Sequence, residues 1–129
     1  MATWNLTEMK HHVLICNGSS CMRKGGEEVT QAIRNEIKNR ELDINVHTTR
    51  TRCNGRCKDA CVVIVYPEGT WYHEVDETLA EKIVASHLEK GEPLEEAITY
   101  TYNGIGMQLK NDRELGVAKD KEKQKAVKA

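Results

Sequence analysis

Residues 52–69 read RCNGRCKDACVVIVYPEG, three cysteines separated from one another by three residues and followed directly by an unbroken apolar run. Cys61 to Tyr66 is continuous and rich in β-formers, which predicts a central strand buried on both faces. Pro67-Glu68-Gly69 is a turn signal, and Thr70 to Val75 is long enough to return as a hairpin partner. Upstream, Leu42, Ile44 and Val46 alternate with polar residues and predict a half-buried strand, with Thr48 to Lys58 as the loop that carries Cys53 and Cys57. Glu27 to Arg40 places Val29, Ile33 and Ile37 on one helical stripe, behind a Gly25-Gly26 pair and with Glu27-Glu28 in the first turn. His12 to Cys16 (HVLIC) is a short strand running into an Asn17-Gly18-Ser19-Ser20 loop. Downstream, Asp76 reads as an N-cap, and Leu79, Ile83, Val84 and Leu88 form one helical face until Gly91. Pro93 opens a short docking segment, Leu94 to Ile98. From Lys110 the chain is Lys-rich and poor in large apolar groups, the composition of a frayed or mobile tail.

The resulting order is β-α-β, a β-hairpin and a C-terminal helix, the layout of a small thioredoxin-like α/β layer. Residues 11–98 form the expected domain and 99–129 a C-terminal extension. The 129 residues suit a single domain. A formal net charge of −1 favours neither nucleic acid nor an anionic membrane, and with no Phe there is no aromatic platform for stacked bases. The longest apolar run is too short to span a bilayer, and the first residues lack the pattern of a secretory signal, so a cytoplasmic protein is expected.

Five cysteines cannot all pair as disulfides, and a reducing compartment disfavours structural disulfides altogether. On the expected layout Cys16 and Cys21 bracket the loop after the first strand, and Cys53 and Cys57 lie on the loop leading to the hairpin. Both loops can meet at one end of an α/β layer, and four thiolates at one point imply a metal centre. Zinc stays open, although C-x4-C with C-x3-C is not its usual knuckle spacing. A C-x-x-C redox motif is absent, which argues against thiol–disulfide exchange. A [2Fe–2S] cluster needs four thiolates, two per iron, and two separated pairs meet that demand. Gly18, Gly25, Gly26 and Gly55 would let backbone amides approach the sulfurs, and Arg23 and Lys24 would offset negative charge. The remaining side chains read plainly. His11 and His12 point to opposite faces of a strand. Tyr66 and Trp71 pack the hairpin, and His47, His73 and His87 are surface or amphipathic.

ICNGSSCMRKGGEEV followed by RCNGRCKDACVVIVYPEGTWYHEV resembles the thioredoxin-like [2Fe–2S] ferredoxins. The same core is similar to the small iron–sulfur subunit of NADH–quinone oxidoreductases, and the resemblance spans roughly residues 11 to 98. It implies Cys16, Cys21, Cys53 and Cys57 as the ligands of a [2Fe–2S] cluster, one-electron transfer to or from a redox partner protein, no substrate site in the chain itself, and a homodimer. Cys61 departs from the family, which usually has proline or another non-ligand there; it is expected to be a core thiol, with exchange for Cys57 as the alternative. The alternative functions are an electron-input subunit of a larger oxidoreductase, or a regulatory module that holds zinc or senses with a cluster.

Overall fold

A computed structural model describes residues 3–113, 115 and 116. Strands β1 (His11–Cys16), β2 (Val46–Thr51), β3 (Val63–Tyr66), β4 (Thr70–Tyr72), β5 (Ile98–Tyr102) and β6 (Met107–Leu109) form one mixed sheet in the order β2-β1-β3-β4-β5-β6. Helices α1 (Ser19–Arg23) and α2 (Gly26–Asn39) make the crossover between β1 and β2, which pair in parallel. Helix α3 (Glu77–Lys82) continues through a wider π-helical stretch, Ile83–Leu88.

The apolar patterning explains this packing. Val63, Ile64 and Val65 are all essentially inaccessible, as expected of a strand with neighbours on both edges and cover on both faces. Helix α2 buries Val29, Ile33 and Ile37, the predicted stripe, against β1, β2 and α3. Each such side chain contributes about 1.5–3 kcal/mol when fully buried. Asp76 caps α3 by accepting a hydrogen bond from the Leu79 N–H at 2.8 Å.

Three expectations need correction. The second strand starts at Val46 and runs to Thr51, not over 42–46. Leu42, instead, turns the chain after α2, its N–H bonding the Ile37 carbonyl, while Ile44 is exposed. His87 is not a surface side chain. It is 1 % exposed because Glu68, from the β3–β4 turn, and Tyr72 satisfy both ring nitrogens at 2.8 and 2.7 Å. The expected helix after Asp76 is present as α3 and its π-helical continuation, but the fold goes on beyond it. Residues 95–97 form a single 3-10 turn, and β5 and β6 then extend the sheet as a hairpin, with Asn103 Oδ1 accepting from the Ile105 and Gly106 amides in the turn. The Lys-rich tail beyond Gly116 lies outside the described residues.

Candidate metal centre

The topology brings the cysteine loops together. Because β2 is parallel to β1, Thr51 lies beside Cys16; because β3 is antiparallel, it starts at that same end, with Val63 opposite Ile15. The Cys16 N–H reaches the Val62 carbonyl at 3.0 Å, and the Asn17 N–H reaches Thr51 at 2.8 Å. The segment after β1, the segment after β2 and the segment before β3 therefore share one end of the sheet.

There, Cys16, Cys21, Cys53 and Cys57 line one small cleft, together with Gly18, Ser20, Asn54, Arg56 and Val62. The thiols stand as two pairs. The Cys53 and Cys57 sulfurs are 3.4 Å apart and exposed; Cys16 and Cys21 are buried, at 2 % and 3 % exposure, and each thiol shifts the pKa of the other. Among the described residues no three His, Cys, Asp or Glu side chains converge on one ion position. Two thiol pairs across a cleft are the donor set of a dinuclear sulfide-bridged cluster, which takes two thiolates at each iron. The residues present fit that group.

The loop conformations are dictated locally. Gly18 passes so close to the Cys53 loop that a Cβ on it would stand 2.8 Å from both Cys53 Cα and N. Gly55, at φ +83°, takes the left-handed turn that aims its own N–H at Cys53 Sγ, 3.3 Å away. Burial would by itself raise the Cys16 thiol, yet the Gly18 amide, the Cys21 thiol and both amide groups of Asn54 together pull it below its usual pKa. Cys21 is pushed up to about 12, first by burial and then by the neighbouring thiols. The Gly55 amide lowers Cys53, but Cys57 and burial outweigh it and the thiol ends raised. Amide donors to the sulfurs favour thiolate and are a main control on the potential of a bound cluster.

Cys61 lies apart from this cleft. It is 1 % exposed, and its thiol donates to the Cys21 and Lys24 carbonyl oxygens at 3.2 and 3.4 Å, tying the start of the hairpin strand to the end of α1. Burial raises its pKa, in keeping with a protonated donor.

Asn54 and the Asp59 clamp were not singled out in the sequence. Both thiol pairs open with Cys-Asn-Gly, at 16–18 and at 53–55, a repetition that marks Asn54. Asn54 also braces the loop by donating to Thr51 Oγ1 at 2.7 Å. Asp59, two residues after Cys57, is 2 % exposed and held by Arg56 and Arg113, each at 2.6 Å. Of the residues given plain readings, Trp71 meets Tyr100 edge to face across the sheet, and His12 meets His47 at 5.2 Å.

The chain is similar to known proteins of one family. The thioredoxin-like [2Fe-2S] ferredoxin family matches residues 5–88. A Priestia megaterium protein provisionally named a 2Fe-2S ferredoxin is 62% identical over 106 residues, 82% of this chain and 83% of its own length. The 2Fe-2S ferredoxin of Clostridium pasteurianum is 37% identical over 91 residues, 64% of this chain and 89% of that protein. Among solved structures, the thioredoxin-like [2Fe-2S] ferredoxin from Aquifex aeolicus superposes with a TM-score of 0.71 at 32% identity, covering 78% of this chain and 99% of that one.

Proposed function

The chain belongs to the thioredoxin-like [2Fe–2S] ferredoxin family, and from that premise we propose that Cys16, Cys21, Cys53 and Cys57 hold the [2Fe–2S] cluster with which it carries electrons. The observation that carries the assignment is the lining of a single cleft by these four thiols as two pairs, while Cys61 faces away into the core. The cluster supplies one-electron oxidation and reduction. Everything else is the work of this chain's residues.

Cys16 and Cys21 form the buried side of the site and Cys53 and Cys57 the exposed side. The Cys53–Cys57 edge is therefore where a redox partner protein would come closest to a bound cluster. The Gly18, Gly55 and Asn54 amides hold negative charge on the sulfurs without moving, because the β1, β2 and β3 ends fix their loops. Val62 and the buried core exclude water from the inner side. No chemistry beyond electron transfer is assigned to the chain: it carries no substrate site of its own and relies on the partner for it.

No helix among the described residues is long and apolar enough to cross a membrane. The reading is completed by a cytoplasmic homodimer that works away from membranes and nucleic acid. Single Cys→Ser substitutions test the ligand set. Changes at positions 16, 21, 53 and 57 should each remove or visibly shift the charge-transfer absorption; a variant at one of these four with an unaltered spectrum and full iron content would refute the assignment.

A further inference from the structure

Cys57 stands on the exposed side of the site, and what holds it there lies two residues further on. It begins a 3-10 turn of three residues, Cys57–Asp59, whose last member is the anchor. Asp59 is 2 % exposed, and its carbonyl oxygen accepts from the Glu74 N–H, just beyond β4, at 2.7 Å. Its carboxylate takes one guanidinium on each oxygen: Arg56 Nε donates to Oδ2 and Arg113 Nη2 to Oδ1, both at 2.6 Å. Arg56 belongs to the same loop and moves with it. Arg113 is 54 residues away in sequence, so its side chain ties the turn to a different part of the fold.

The chain beyond β6 is shaped to place that arginine. The Lys110 N–H closes onto the Thr99 carbonyl at 2.7 Å, and Asn111 donates through Nδ2 to the Glu95 and Ile98 carbonyls at 2.7 and 2.9 Å. Asn111 and Asp112 then both take left-handed conformations, at φ +57° and +51°, which Asn and Asp tolerate better than other side chains. Arg113 follows at once, its second arm held by Glu74 Oε1 at 3.0 Å. A planar guanidinium forked between two carboxylates fixes a direction as well as a charge. Arg113 also lies outside residues 5–88, the stretch that matches the family.

We propose that Arg113 is a positioning residue of the metal centre: through Asp59 it holds the Cys57 turn so that Cys57 Sγ stays 3.4 Å from Cys53 Sγ, and the segment after β6 thereby completes the site. The proposal rests on Cys57 as a ligand and deepens that reading. The arginine limits how far one thiol can swing away from its pair. A buried carboxylate that loses a charged partner is driven toward water, and the turn that carries Cys57 moves with it.

Hydrogen exchange, iron release and the visible spectrum of the full-length protein test it. In Arg113→Gln the amides of Asp59, Ala60 and Glu74, whose hydrogen bonds build or brace the turn, should exchange about tenfold faster, with or without iron. Iron should pass from the loaded protein to an added chelator about tenfold faster, and the visible circular dichroism bands should shift at a temperature where the chain is fully folded. Arg113→Lys should recover only part of each change, because an ammonium cannot reproduce the fork. Arg40→Gln is the control for general loss of stability: it removes an arginine paired with Glu36 and Glu89 and should alter none of the three. If Arg113→Gln does not fold, Glu74→Gln loosens the second arm of Arg113 without touching Asp59 and should show the same changes at smaller size. A wild-type protein that binds no iron would overturn the cluster reading; the exchange rates would then still judge the clamp, faster exchange supporting it and unchanged exchange overturning it. Arg113→Gln with wild-type iron release and spectrum, or the same changes in Arg40→Gln, would overturn the proposal.

Discussion

Replacing Gly18 with alanine adds one methyl group at the tightest backbone approach in the site. The residue is extended, at φ −65° and ψ 169°, so alanine meets no conformational penalty. Its Cβ would, however, lie 2.8 Å from Cys53 Cα and N and 3.0 Å from its Cβ, where ordinary contact begins at 3.4 Å. The Cys53 backbone would have to retreat by about 0.6 Å, well beyond the roughly 0.2 Å that metal–ligand distances tolerate. Overpacking of this kind costs about 1–3 kcal/mol, which for a chain this long corresponds to a drop in Tm of roughly 4–12 °C. Iron content should fall as well, because the displaced residue is a proposed ligand. Gly55 provides the contrast. Nothing lies within 4 Å of its would-be Cβ, but its φ is +83°. Gly55→Ala should cost about 1 kcal/mol through backbone conformation alone, and Gly55→Asn should recover much of that, since Asn tolerates the left-handed region. Gly18→Asn should do no better than Gly18→Ala. Thermal melts with iron assays on the four variants decide the matter, and a Gly18→Ala protein with wild-type Tm and iron content would refute the close-approach reasoning.

Cys61→Ser should keep the iron content and visible spectrum of the wild type, because its side chain only donates to two carbonyl oxygens, whereas Cys57→Ser should lose iron or shift its bands; iron assay and absorption spectra read both. Tyr72→Phe strips the half-buried Leu94 N–H and the buried His87 Nδ1 of their shared hydroxyl partner, and urea titration should show a loss of about 1–3 kcal/mol. Burial lowers the pKa of His87, flanked by Glu68, Tyr72 and His11, so the folded state leaves it neutral while the unfolded chain takes up a proton below about pH 6.5. Its contribution is present above that value and is lost as pH falls from about 6.5 toward the depressed folded value, at up to about 1.4 kcal/mol per pH unit. Urea midpoints at about pH 7.5 and about pH 5.5 should therefore fall further for the wild type than for His87→Gln.

What could be read in the sequence was what repeats or runs. The β3 segment is continuously apolar, the α2 stripe is periodic, Asp76 is a capping residue at a helix start, and the cysteine pairs flank predicted turns; each signal is local and each element follows it. The failures were places where tertiary contacts decide. Leu42, Ile44 and Val46 alternate as a strand does, yet the β1 register starts at Val46 and leaves Ile44 outside. His87 looks amphipathic until Glu68, 19 residues away, and Tyr72 hold its neutral ring in a buried hydrogen-bonded pocket. The β5–β6 hairpin has a signal of its own, Asn103-Gly104 between ITYTY and MQL, which the Lys-rich composition of the tail that follows obscures. Within the site, the thiols declare themselves by spacing; Asn54 and the Asp59 clamp are ordinary residues in a loop until the fold sets them against Cys16, Arg56 and Arg113.

Iron and acid-labile sulfide analysis of the protein as purified anaerobically from its host bears most directly on the four-thiol cluster. About two irons and about two sulfides per chain are expected. A colourless protein holding one zinc and no labile sulfide would contradict it.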